Sequence, residues 1–124
     1  MQPYNTNDPT GPGSFGFALN VILPASATVI PTYSQNSKRM ERDFVLKSIT
    51  SYQTGDFSVI LGTQLFDWFA DYVWYETVFG NAVLPHFIPG EGQFVSKGDF
   101  IVAKTLNETE AINQITMLFE GVYL

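Results

Sequence analysis

His86 is the only histidine among the 124 residues, and it stands between Pro85 and Phe87. A Ser-His-Asp relay would have to pass through it, because a hydroxyl nucleophile needs a general base within hydrogen-bond reach. No Gly-x-Ser-x-Gly elbow accompanies it, and His86 reads as a structural or exposed side chain. Asp67, Asp71 and Glu76 form the one local carboxylate cluster. On a helix, Asp67 and Asp71 would share a face one turn apart, beside Trp68 and Tyr72. Acids next to aromatic rings are what a sugar site uses, but glycoside hydrolysis needs two carboxylates at a set separation, one of them with its pKa raised by burial. Spacing alone does not supply that, so the acids read as solvent-facing while the rings face a core or a partner.

Other oxygen-bearing groups are similarly bland. Asp99, Asn107, Glu108 and Glu110 could offer ligands to calcium, yet no twelve-residue calcium loop is present. Asn107-Glu108-Thr109 has the pattern of a glycosylation acceptor, but no secretory segment is recognisable at the amino terminus and the match reads as coincidence. Lys97-Gly98-Asp99 resembles an adhesion tripeptide, but its place between two strand-like runs makes it a turn. Gly-rich phosphate loops and Cys/His clusters are missing. The chain reads as non-enzymatic, with no catalytic residue, cofactor or metal.

The segments that carry these residues are short. Apolar and aromatic runs at 15–23, 44–50, 57–61, 73–79, 100–105 and 115–124 are separated by Gly, Pro, Asn, Asp and Ser. That is the pattern of an all-β antiparallel sandwich of jelly-roll or Greek-key type, with roughly eight strands. Phe57, Val59 and Leu61 alternate onto one face, and with 44–50 they predict a hairpin across 51–56. Leu65, Trp68, Phe69 and Tyr72 share helical spacing, so at most one short helix is expected, near 64–72. Residues 34–39 read as a polar loop; Lys38 and Arg39, with Arg42 nearby, make up half of the six basic residues. Residues 27–30 read as a second strand after Pro24, 83–89 as extended or edge structure held off the sheet centre by two prolines, and 93–96 as a further strand. The stretch 1–14, with three Pro and two Gly, reads as a flexible or neighbour-contacting arm ahead of a single domain at 15–124. The last strand should be tied into the sheet.

Composition narrows the partners. Six basic residues against twelve acidic ones give a net charge of -6, which opposes binding to nucleic acid. No apolar run approaches the ~20 residues of a membrane-spanning helix. With no cysteine, no disulfide or thiolate site is available, and a reducing compartment fits. Hydrophobic residues make up 45%, aromatic ones 15% and charged ones only 15%, against roughly a quarter charged in ordinary domains. Part of this apolar surface is expected to meet another chain.

Several motifs in fixed order carry a resemblance. They are Arg42-Asp43-Phe44-Val45-Leu46-Lys47-Ser48-Ile49, Asp56-Phe57-Ser58-Val59-Ile60-Leu61, Val78-Phe79-Gly80 leading to Leu84-Pro85-His86-Phe87-Ile88-Pro89, Lys97-Gly98-Asp99-Phe100-Ile101-Val102, and Ile115-Thr116-Met117-Leu118-Phe119-Glu120-Gly121-Val122-Tyr123-Leu124. Over most of the chain after Phe44 these resemble small jelly-roll structural proteins of tailed bacteriophages. The aromatic stretch 66–75 departs from that group. The resemblance implies a capsid decoration or cement protein, made in the host cytoplasm and located in the virion. Its partners would be the major capsid protein or other virion proteins, and it would form a small symmetric homo-oligomer, a trimer foremost. Trp68, Phe69, Tyr72, Trp74 and Tyr75 are the expected contact residues. A neck, tail or baseplate component, or a carbohydrate-binding sandwich using Trp68, Trp74 and Tyr75 as platforms, remains open at this point, as does a hydrolase working through His86 or Asp67 with Asp71.

Overall fold

The computed structural model describes residues 13–25, 33–80, 86–87 and 92–124. Nine strands are described: β1 (Gly13–Leu23), β2 (Tyr33–Arg39), β3 (Phe44–Gln53), β4 (Phe57–Thr63), β5 (Val73–Trp74), β6 (His86–Phe87), β7 (Gln93–Val95), β8 (Phe100–Asn107) and β9 (Asn113–Tyr123), with one helical turn, α1 (Tyr75–Val78). One sheet runs β1-β9-β3-β6, with β7 also on β3, and the other runs β2-β8-β4-β5. β6 pairs with β3 at Ser48 and Ile49, and β7 with β3 at Phe44 to Leu46. The two are halves of one edge strand, broken opposite the bulge that β3 makes between Leu46 and Ser48. Counted so, eight strands fall four to a layer. All the ladder pairings are antiparallel, and the chain changes sheet at nearly every connection. This is the jelly-roll order, two Greek keys folded face to face.

Side-chain alternation explains which faces meet. Leu19, Val21 and Leu23 of β1, Ile115, Met117 and Phe119 of β9, and Val59 and Leu61 of β4 are buried at every second position. β4 is buried along its whole length, because it lies between β8 and β5 with a loop folded over its outer side. Rings link the layers in sequence: Phe17 stacks on Phe119 at 5.1 Å, Phe119 meets Phe79 edge-on at 6.4 Å, Phe79 lies 6.0 Å from Phe57, and Phe57 stacks on Tyr75 at 5.1 Å. Each fully buried Phe contributes about 2–3 kcal/mol by removal from water. Most of the aromatic content is therefore core, while Tyr33, Tyr52, Phe66, Trp74 and Phe94 remain exposed.

Three expectations are corrected. Residues 44–50 and 57–61 do not form a hairpin: β3 pairs with β9, β6 and β7, whereas β4 pairs with β8 and β5 in the other sheet. The turn between them is held by β9 instead. Thr54 N donates to Gln114 O at 3.1 Å, and Asn113 Nδ2 donates to Gly55 O at 2.9 Å and Asp56 O at 3.0 Å. Residues 34–39 are strand β2 rather than a loop. The strand is polar because it is an edge: its Ser34, Asn36 and Lys38 share a face with Thr105, Ala103 and Ile101, and an inward charge of this kind discourages stray strand pairing. Asn36 Nδ2 also donates to Asn20 O at 3.0 Å, joining β2 to the edge of β1.

The one short helix lies at Tyr75–Val78, not near 64–72. Residues 64–72 instead turn back along β4, with Thr63 N donating to Phe66 O at 2.9 Å and Trp68 N to Leu61 O at 2.8 Å. Satisfying the main chain on a sheet edge outweighs the helical spacing of the side chains. The run 73–79 is accordingly two residues of strand followed by α1.

β1 begins at Gly13, so the last two residues of the expected arm are strand. Residues 1–12 and the expected strand at 27–30 lie outside the described residues. Of 83–89, only β6 is described, on the sheet edge. The final strand is tied in as expected: Leu124 N donates to Asp43 O at 3.0 Å, and the Arg42 guanidinium donates to Leu124 O at 2.9 Å while lying 5.3 Å from the centre of the Tyr123 ring. No helix among the described residues is long and apolar enough to cross a membrane.

Candidate functional site

The outer face of the β2-β8-β4 sheet carries an unusual loop. Residues 64–68 fold over β4 so closely that a Cβ on Gly62 would stand 2.6 Å from Phe66 O and 2.7 Å from Asp67 Cα. Only glycine leaves room there. The loop is pinned further by Leu65 N to Thr63 Oγ1 at 3.3 Å, Gln64 N to Asp99 Oδ1 at 3.3 Å, and an ion pair between Lys104 and Asp67 at 3.2 Å. Its apolar side chains point away from this scaffold, Leu65 being 81% exposed and Phe66 61%. They border a hollow of about 290 Å³ with Gln35, Val102 and Lys104 on its sheet side. Tyr33 and Tyr72, with ring centres 5.7 Å apart, add a second aromatic group to the outside of the same sheet. The Tyr72 phenol is raised above its ordinary value, foremost by burial and then by the neighbouring Tyr33.

The five residues expected to make contacts divide. Trp68, Phe69 and Tyr75 are partly buried and pack against the core. The Trp68 indole N–H is buried with no acceptor among the described residues. Tyr72 is half-buried beside Tyr33, and only Trp74 is exposed, its ring 5.8 Å from that of Tyr75. Leu65, which the helical reading grouped with Trp68, Phe69 and Tyr72, and Phe66, which was not among the expected contact residues, are both exposed. Their signal was a run of two large apolar residues just after a buried strand, which is ambiguous until the main chain is placed.

A second concavity opens between the layers beside the β3–β4 turn. It measures about 320 Å³ and is lined by Ser51, Gln53, Tyr75, Glu76, Phe79 and Gly80. Ser51 donates its hydroxyl proton to Gln53 Oε1 at 2.8 Å. The Tyr75 hydroxyl lies 3.1 Å from both Asp56 Oδ1 and Glu76 Oε1. Burial first, then these hydrogen bonds, push the phenol up to about 12.

The remaining candidates are dispersed. Asp67 pairs with Lys104, the Asp71 carboxylate accepts from Tyr72 N at 2.7 Å, and Glu76 faces Tyr75, so the three acids do not converge. His86 lies on β6 opposite Ile49, in the sheet that does not contain Asp67. Asp99 and the pair Asn107 and Glu108 stand at opposite ends of β8. Among the described residues, no three His, Asp or Glu side chains group as metal ligands would. Asn107 is 3% exposed and donates to Pro24 O at 2.9 Å and Ala111 O at 3.0 Å, so its amide is structural. Lys97-Gly98-Asp99 is a tight turn: Gly98 has φ +87°, and Asp99 N donates to Ser96 O at 3.1 Å.

Fold and surface together define an antiparallel jelly-roll domain with a braced apolar protrusion. No protein-family description, curated protein or solved structure matches this chain.

Proposed function

We propose that the protein is a non-enzymatic virion structural protein of the capsid decoration or cement kind, docking on a shell through the outer face of the β2-β8-β4 sheet. The observation that carries this reading is the loop at Leu65 and Phe66. Its main chain is braced by four hydrogen bonds and its Asp67 side chain by the ion pair with Lys104, while Leu65 and Phe66 are left in water. A monomer gains nothing by fixing apolar groups outward, whereas an interface gains a pre-ordered anchor. Burying both side chains in a partner contributes about 2 kcal/mol each. That is modest for one copy but cumulative over a repeating lattice.

The test is cosedimentation of the purified protein with empty phage shells, read as copies bound per major capsid subunit and as the temperature at which the shells disrupt. Saturation at a fixed ratio with a raised disruption temperature is expected, and Leu65→Ser with Phe66→Ser should abolish both while leaving the protein's own unfolding curve within about 0.5 kcal/mol. A double variant that binds shells unchanged, or a native protein that does not bind them, refutes the reading.

A further inference from the structure

We infer that two copies of this chain pair in solution through the outer face of the β2-β8-β4 sheet, about a twofold axis, and that this pairing competes with a shell for the same anchor. The inference rests on the docking reading above and adds what covers Leu65 and Phe66 before a shell is met.

The face carries two apolar groups. Leu65 and Phe66 belong to the loop that folds over Gly62, which pairs with Val102 of β8. The second group lies along the row in which Tyr33, Leu106, Ser58 and Trp74 are successive cross-strand partners, with the Tyr72 ring 5.7 Å from that of Tyr33. Ser58 and Gly62 are four positions apart on β4, which separates the groups by roughly 13 Å at about 3.3 Å per residue. Midway between them runs the row Gln35, Lys104 and Ile60. A copy turned end for end about that row sets the Leu65 and Phe66 of each chain on the aromatic group of the other. One patch then serves on both sides, as an isologous interface requires.

Charge and area select a second copy as the occupant. Each chain carries a net charge of -6, yet the central row is balanced, because Lys104 stands 3.2 Å from Asp67. Turning the copies brings two neutral pairs together, so like charges are not forced into contact. Large aromatic side chains present about 200 Å² each. With Tyr33 58% exposed, Phe66 61% and Trp74 41%, and Leu65 beside them, roughly 450 Å² of apolar surface is left in water. A polar rim including Gln35 and Gln64 takes the covered area to roughly 600 Å² per copy, the low end for a specific interface. The dimer is therefore exchangeable, and a shell offering many linked sites displaces it.

The test begins with sedimentation velocity of the full chain, without shells, up to about 200 μM. A reversible monomer–dimer equilibrium with a dissociation constant of about 10 μM is expected. Tyr33→Ser, which leaves the loop intact, and Leu65→Ser with Phe66→Ser should each weaken pairing at least about tenfold with thermal unfolding unchanged, whereas Tyr52→Ser on the other sheet should not. Because the chain has no cysteine, Gln35→Cys on the axis row should cross-link to its own copy under mild oxidation, and the cross-linked dimer should lose shell binding until it is reduced. A chain that binds shells but stays monomeric at about 200 μM overturns the pairing alone; so does a trimer, a dimer indifferent to Tyr33, Leu65 and Phe66, or a cross-linked dimer that still binds shells. A chain that pairs as described but ignores shells refutes the docking reading and leaves the dimer standing.

Discussion

Asn113→Ala should be among the most damaging polar substitutions in the domain. The residue is fully buried at the start of β9 and replaces the cross-strand pairing that the β3–β4 turn lacks. Its Nδ2 donates to Gly55 O at 2.9 Å and Asp56 O at 3.0 Å, and its Oδ1 accepts from Gly55 N at 3.1 Å. Truncation to Ala removes all three hydrogen bonds, although Asp56 O keeps Glu108 N as a donor at 3.1 Å, and at about 1 kcal/mol net for each bond the loss is about 3 kcal/mol. Against a total stability of 5–15 kcal/mol for a typical domain this is large, and it corresponds to a fall of about 10 °C in the unfolding midpoint. Asn113→Asp is the sharper probe. It preserves volume and the Oδ1 acceptor but turns a carboxylate oxygen toward two carbonyl oxygens, so it should cost more than Ala at neutral pH. Equilibrium urea unfolding measures both, with an unchanged m-value showing that the compactness of the end states has not altered. A loss below about 1 kcal/mol for Ala, or an Asp variant as stable as the parent, would show that this amide does not hold the turn.

Gly62→Ala should destabilise by about 2 kcal/mol, because the new methyl group meets the main chain of residues 66 and 67 rather than a side chain that can swing away. Urea unfolding with no change would mean that the loop does not sit against β4. Trp68→Phe should change stability by less than about 1 kcal/mol, since the packing it loses is offset by removal of a buried N–H with no acceptor. A larger loss in thermal unfolding would reveal a partner for that N–H. Tyr75, held near 12 against an ordinary 10.0, keeps its proton more tightly when folded. Its contribution is therefore complete below about pH 10 and fades as the pH rises toward 12. Tyr72 and Tyr123, also raised with burial the leading cause, act with the same sign. Denaturant midpoints should fall above pH 10, and fall less for Tyr75→Phe; equal falls in both proteins would count against the phenol's role.

Much of the strand inventory was legible because alternation is a local property. Phe57, Val59 and Leu61 mark a buried face wherever their strand pairs, and Ile115, Met117 and Phe119 do the same in β9. Pairing was less legible. The three residues between β3 and β4 invite a hairpin, but both strands need neighbours on two sides, and β9 and β8 satisfy them in separate sheets. β2 was hidden by its own polarity, since an edge strand that must avoid other chains reads like a loop. The 64–72 segment was misplaced because helical spacing in the side chains competed with hydrogen bonds to the edge of β4, and the main chain won. Leu65 and Phe66 were passed over for the same reason: in a helix Leu65 belongs to the buried face, whereas in a tight return it is thrown into water.

The amino-acid sequence by itself determined a two-layer antiparallel β domain. Period-two burial, turn residues and an apolar content with no thiol or metal alternative leave little else that could bury so many rings. Tertiary structure alone decided which strands are neighbours, which rings become core and which stay outside, and where the Tyr75 hydroxyl meets two acids 19 and 1 residues away. Those outcomes depend on contacts between residues far apart in the chain. Their energies exist only once the sheets have closed on one another, and no local spacing records them.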